Sequence, residues 1–160
     1  MTAHRSLDKD ALRSLLSGLR DTSWSWREAD VPALAAGLGW HLGEVVTGTG
    51  AVADPGHGLG RKAVRFAFDD GQVRRITMRI TSIIDEDDQT DQAFLREVCQ
   101  QAAALGAEVL GEPTTGPAGG GQVRWRGEQA TLVLQVPAVA VTLVWSTNAF
   151  QDHWDALSQE

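Results

Sequence analysis

The acidic run DEDDQTD, Asp85 to Asp91, is the densest chemistry in the chain, since carboxylates recurring at short spacing are what a hard cation takes as ligands. A calcium loop of the EF-hand kind needs glycine at its sixth place and a bidentate glutamate at its twelfth. Counted from Asp85, those places hold Thr90 and Arg96. The run also precedes an apolar helical stripe, where acids cap the first turn and suit the helix dipole, each worth several tenths of a kcal/mol (about 0.3–1). That accounts for two or three of the acids. Asp85, Glu86, Asp87, Asp88 and Asp91 are then either a solvated face or a contact surface for a basic partner, with Asp69 and Asp70 as second choices.

Other motifs fail on spacing or context. VVTGTGAVA, Val45 to Ala53, has the glycines of a dinucleotide fingerprint, but Asp54-Pro55-Gly56 cuts off the helix whose N-terminus would face a pyrophosphate. GHGLGRKA lacks the P-loop spacing. The histidines His4, His41, His57 and His153 form neither HExxH nor HxH, too little for a catalytic zinc. No serine sits on a GxSxG elbow. Cys99 lies on an apolar stripe beside Glu97, where a thiol behaves as a small hydrophobe. Neither a cofactor, a metal nor a catalytic residue is expected.

The totals narrow the classes further. A chain of 160 residues fits one domain, expected over 1–160 with 1–6 and 158–160 frayed. One cysteine allows no internal disulfide, which suits a reducing cytoplasm, and no leader or membrane-spanning run is evident. A net charge of -7 opposes binding to phosphate backbones and favours basic partners.

The elements that must position these residues follow from periodicity. Leu7 to Leu19 carries a helical stripe; Asp30, Pro32 and Gly39 frame a second helix as cap, first turn and stop. His41 to Gly50 reads as one strand dissolving into a glycine-rich loop. Val64 to Phe68 and Ile76 to Ile80 alternate about the turn Asp69-Asp70-Gly71, giving a hairpin with one wet face. A helix with Phe94, Leu95, Val98, Cys99, Ala102 and Leu105 ends near Gly106, and Val109-Leu110 could extend within the connection that follows. Strands at Val123–Arg126, Thr131–Val136 and Val139–Ser146, with a reversal at Pro137-Ala138, lead to a final helix burying Phe150, Trp154 and Leu157. The order α-α-β-β-β-α-β-β-β-α, without buried βαβ units, predicts an α+β fold: a mostly antiparallel sheet of about five to six strands with helices packed on one face.

Of six tryptophans, Trp125, Trp145 and Trp154 fall on apolar faces and Trp40 follows the second helix, so all four are expected in the core. Trp24 and Trp26 flank Ser25 at i, i+2 spacing. They either clamp the second helix to the sheet or form an exposed platform for a partner.

The layout WSWREADVPALAAGLGW, then VRRITMRIT, VRWRG and TLVLQVPAVAVTLVW before Asn148, resembles a family of small actinobacterial proteins of unknown function, from about Leu7 to Leu157. Members of that type are similar to immunity proteins and dedicated chaperones encoded beside secreted polymorphic toxins. What the resemblance implies is a non-enzymatic, cytoplasmic immunity protein, expected to be a monomer, whose partner is a cognate toxin domain of basic character rather than nucleic acid or membrane. The alternatives are a chaperone or adaptor carrying an extended segment on the open sheet face or on Trp24 and Trp26, and a small hydrolase or nucleotide-binding protein built around His57 or His41.

Overall fold

The computed structural model describes residues 6–56, 58–83, 89–114, 123–135 and 140–158. In chain order these form α1 (Lys9–Asp21), a 3-10 turn (Glu28–Asp30), α2 (Val31–Gly37), β1 (His41–Val46), β2 (Gly50–Asp54), β3 (Val64–Asp69), β4 (Gln72–Arg79), α3 (Gln89–Leu110), β5 (Val123–Arg126), β6 (Ala130–Gln135), β7 (Thr142–Thr147) and α4 (Asn148–Ser158). The α+β class holds, with one more strand than expected: the open sheet has seven strands in the order β1-β2-β3-β4-β7-β6-β5, every pair antiparallel.

The added strand is β2, expected as loop. Thr47-Gly48-Thr49 turns the chain so that Gly50–Asp54 pairs with β1 on one side and β3 on the other. Its opening glycine is required there, because a Cβ on Gly50 would stand 2.5 Å from the Phe66 carbonyl oxygen. The next hairpin follows its sequence signal: Asp70 and Gly71 both take positive φ, 53° and 76°, the two-residue turn whose twist suits flanking strands.

Strand register sorts the sheet into two faces. Ala51, Phe66, Ile76, Trp145, Leu132 and Trp125 form one cross-sheet row, all buried. α1 and α3 cover this face, with Leu12, Leu16 and Leu19 of α1 and Leu95, Val98, Ala102 and Leu105 of α3 joining the same apolar cluster. Asp8 caps α1 by accepting the Ala11 N–H at 2.7 Å.

α3 runs past the expected stop. Gly106 is buried mid-helix, and a Cβ there would meet the Trp125 ring at 2.5 Å, so glycine serves close helix–sheet packing. The helix ends after Leu110, where Gly111 takes φ 93° and its carbonyl accepts the Trp125 indole N–H at 3.0 Å. Val109 and Leu110 are helical, not extended.

α4 overturns two expectations. It lies against the opposite face, so helices cover both sides of the sheet, and its apolar stripe is not buried: Trp154 is 48% and Leu157 53% exposed, and Phe150 is half-buried. A polar face is turned inward instead. Gln151 and Ser146 are buried and share a hydrogen bond at 3.1 Å, and Asn148 accepts from the buried Thr131 hydroxyl at 2.7 Å. Among the described residues, no helix is long and apolar enough to cross a membrane.

Candidate functional site

The structure brings together some of the residues singled out by sequence and separates others. Asp69 and Asp70 are exposed at the β3–β4 turn, where Asp69 accepts from Arg74. The 3-10 turn docks beside them: Arg27 bridges Gln72, and the Glu28 N–H donates to the Gly71 carbonyl at 2.9 Å. Glu28 Oε1 also accepts from the Gly48 N–H at 2.8 Å, tying the β1–β2 turn to the same end. Glu28, Asp30, Asp69 and Asp70 thus stand at one end of the sheet. Asp30 precedes α2 as expected but makes no cap hydrogen bond to it; its carboxylate accepts from the Ser25 hydroxyl instead.

Asp85, Glu86, Asp87 and Asp88 lie outside the described residues, as do His4, His57 and the Pro137-Ala138 reversal. Asp91, the last of the acidic run, is in the first turn of α3 and only 7% exposed. It offers little surface to a partner. The chain leaves β4 toward Thr81 at the end opposite Asp69, and eight strand residues at about 3.3 Å each put roughly 25 Å between the two ends.

The two open tryptophans both pack on Trp145 of the sheet. Trp26 is 8% exposed and packs on Trp145 with ring centroids 4.8 Å apart; Trp24 is half-buried, 5.1 Å from Trp26 and 6.4 Å from Trp145. The two rings share one side although the chain is not extended there: Trp26 takes φ 58°, a left-handed conformation uncommon for a bulky residue. Its carbonyl accepts the Val73 N–H at 2.8 Å, which holds that turn against β4. Trp26 is therefore part of the core, and Trp24 packs beside it half-buried. Trp40, Trp125 and Trp145 are in the core as expected, 6%, 7% and 5% exposed.

The strongest electrostatic construction joins residues outside the candidate set, two arginines of β5 and two aspartates of α4. Arg124 donates to both carboxylate oxygens of Asp155, at 2.7 and 2.9 Å, with both side chains largely covered at 11% and 17% exposure. Arg126 repeats the fork on Asp152 at 2.7 and 3.1 Å in a more exposed place. Hydrogen bonding by Arg124 holds the Asp155 carboxyl below its usual value, and Arg126 does the same for Asp152. A signal existed: arginines at i, i+2 in VRWR share a strand face, and aspartates at i, i+3 in the last helix share a helix face.

The chemical reach of the rest is small. Among the described residues, no group of three His, Cys, Asp or Glu could hold a metal ion. Cys99 is partly buried, and burial pushes its thiol up, away from a reactive thiolate. His41 lies on the edge strand β1 and His153 on α4. The glycines of VVTGTGAVA belong to the β1–β2 hairpin, so the helix N-terminus that a pyrophosphate requires is absent from that place. An open cleft between the end of α1 and the β5–β6 turn has Trp26, Trp125 and Trp145 among its lining residues and Arg20 and Glu128 at its polar side. Arg20 is engaged there by Asp21 and the Val109 carbonyl.

Fold and site define a small α+β protein whose arranged surface groups are arginines, carboxylates and aromatic rings. Residues 10–147 match a family described as a family of unknown function (DUF6301), and the chain belongs to it. No curated protein and no solved structure matches it.

Proposed function

We propose that the chain is a non-enzymatic binding protein, and specifically a cytoplasmic, monomeric immunity protein that holds a basic toxin domain without a cofactor. The observation that carries this reading is the acidic end of the sheet, where strand pairing gathers Glu28, Asp30, Asp69 and Asp70 in a chain of net charge -7. Opposite charge steers encounter and can cover the cationic site of a nucleic-acid-directed toxin. Asp85, Glu86, Asp87 and Asp88 extend the proposed contact set.

The test is charge reversal. Asp69→Lys with Asp70→Lys, and separately the four acids from Asp85 to Asp88 changed to Lys, are assayed for binding to a candidate basic toxin domain that the wild-type chain holds. Protection of cells producing that toxin is measured in parallel. Loss of affinity and of protection supports the reading, and unchanged protection by both variants contradicts it. A chaperone or adaptor role is the second reading. It rests on the sheet face beside α4, since Trp26 is in the core and Trp24 packs half-buried beside it.

A further inference from the structure

Among the described residues, the face of the sheet that carries α4 is covered over β6 and β7 by that helix and, at the Ala63–Arg79 end, by the segment whose Leu59 carbonyl takes Arg79; the middle of β2, β3 and β4 lies between them. On that middle part, register places Val52 beside Arg65 and Arg65 beside Thr77, with Arg75 and Arg79 on the same side two residues either way. Arg65 is exposed, and Val52, Ala67, Arg75 and Thr77 are half-buried.

The strands carry an irregularity that brings more cation to this face. Between Ala67 and Phe68 the β3–β4 register shifts, leaving Arg74 as an extra residue on β4. Adjacent residues of a regular strand point to opposite sides, but at a bulge they need not. Arg74 and Arg75 therefore both reach α4, their guanidinium carbons 5.8 Å from the Phe150 ring centre and 5.6 Å from that of Trp154.

The charges here are unevenly compensated. Arg74 has Asp69, but among the described residues Arg65 and Arg75 make no salt bridge. Arg79 donates to the Thr81 and Leu59 carbonyls at 2.9 and 2.8 Å. Burial, and then the nearby charge of Arg65, push its guanidinium below the usual arginine value. The aspartates of α4 are already bound to Arg124 and Arg126, and Asp54, on the same face at the end of β2, accepts the Gly56 N–H at 2.8 Å. A strip of cations, edged by Phe150 and Trp154 with Leu157 one turn further along the same helix, is left within an acidic protein.

We infer that this surface docks an acidic amphipathic protein segment, its carboxylates meeting Arg65 and Arg75 and its apolar residues meeting Trp154 and Leu157. The planar fork of arginine matches carboxylates, and tryptophan with arginine is the pairing that binding surfaces concentrate. A second copy of the chain would bring Arg65 and Arg75 against their own kind near the symmetry axis. An anionic membrane would have to accept a protein of charge -7 with only two lysines. Both fit less well than a discrete segment. The inference is independent of the basic toxin proposed for the acidic end.

The probe is a synthetic amphipathic helix with leucines at i, i+4 and i+7 and glutamates on both flanks, labelled for fluorescence anisotropy. A matched peptide carries lysine in place of glutamate. The glutamate peptide is expected to bind. Arg65→Glu with Arg75→Glu should weaken it by roughly tenfold or more, while Lys9→Glu on exposed α1 leaves it unchanged. Trp154→Ser should weaken it as well, and circular dichroism on each variant confirms the fold. Equal binding of the lysine peptide, or an arginine variant that binds as wild type does, overturns the inference. So does binding to phosphatidylserine vesicles in place of the peptide, or a dimer that Leu157→Ser dissolves and that excludes the peptide.

Discussion

α3 and α4 are held to opposite faces of one sheet by different physics. α3 contributes Leu95, Val98, Ala102 and Leu105 to a continuous apolar cluster, and its glycine at 106 lets the helix approach the Trp125 ring. α4 docks through Arg124–Asp155, Arg126–Asp152, Ser146–Gln151 and Thr131–Asn148, and its Trp154 and Leu157 stay about half exposed. Burial of apolar area is non-directional and largely indifferent to pH, whereas paired charges need their geometry and their ionisation. The comparison teaches that an apolar stripe shows which side of a helix is unusual without showing which side is inside.

The largest expected effect is on the apolar side. Trp145→Ala, at the centre of the ring contacts with Trp24 and Trp26, should cost about 3–5 kcal/mol and Leu95→Ala about 2–5 kcal/mol in denaturant unfolding. Both losses should be the same at pH 7 and pH 5. Similar stability of either variant to wild type would remove the apolar half of the comparison.

Arg124→Ala comes next, because it leaves the mostly covered Asp155 carboxylate without its main partner. The cost should be on the order of 2 kcal/mol, below that of a fully buried pair. It should show as faster hydrogen exchange in α4 than in α3. Uniform acceleration through both helices would mean that α4 is no separate unit.

Acid sharpens the same contrast. The Asp155 carboxyl is held low in the folded chain, so the stability it contributes is complete above the unfolded aspartate value, near 3.9. That stability is lost as pH falls from there through the lower folded value. Asp155→Asn should flatten this part of the acid-unfolding curve, while Leu95→Ala shifts the whole curve without changing its slope. The smallest effect belongs to the exposed stripe: Trp154→Ser should change stability by no more than about 0.5 kcal/mol.

Most of the fold was legible because its cues are local. Alternation about Asp69-Asp70-Gly71 predicts the β3–β4 hairpin, and the stripe of α1 predicts its buried face. What was not legible depends on partners remote in sequence. Gly106 looks like a helix stop until Trp125 lies against it, and Gly50 looks like loop until its backbone must fit beside Phe66. Phe150, Trp154 and Leu157 have the spacing of a core stripe, and only the arginines of β5 decide that the aspartates turn inward. For the candidate site, Asp69 and Asp70 are exposed, while Asp91 and Trp26 are buried and Trp24 is half-buried beside Trp26.

The orientation of α4 underlies both the comparison and the docking surface, and it can be read from one indole. Six tryptophans give six indole N–H signals by NMR, and a soluble paramagnetic agent broadens those that meet solvent. Trp154 should be broadened most, with Trp26, Trp40, Trp125 and Trp145 protected. A protected Trp154 would contradict the account, since α4 would then be packed by its apolar stripe and the surface beside Arg75 would not exist.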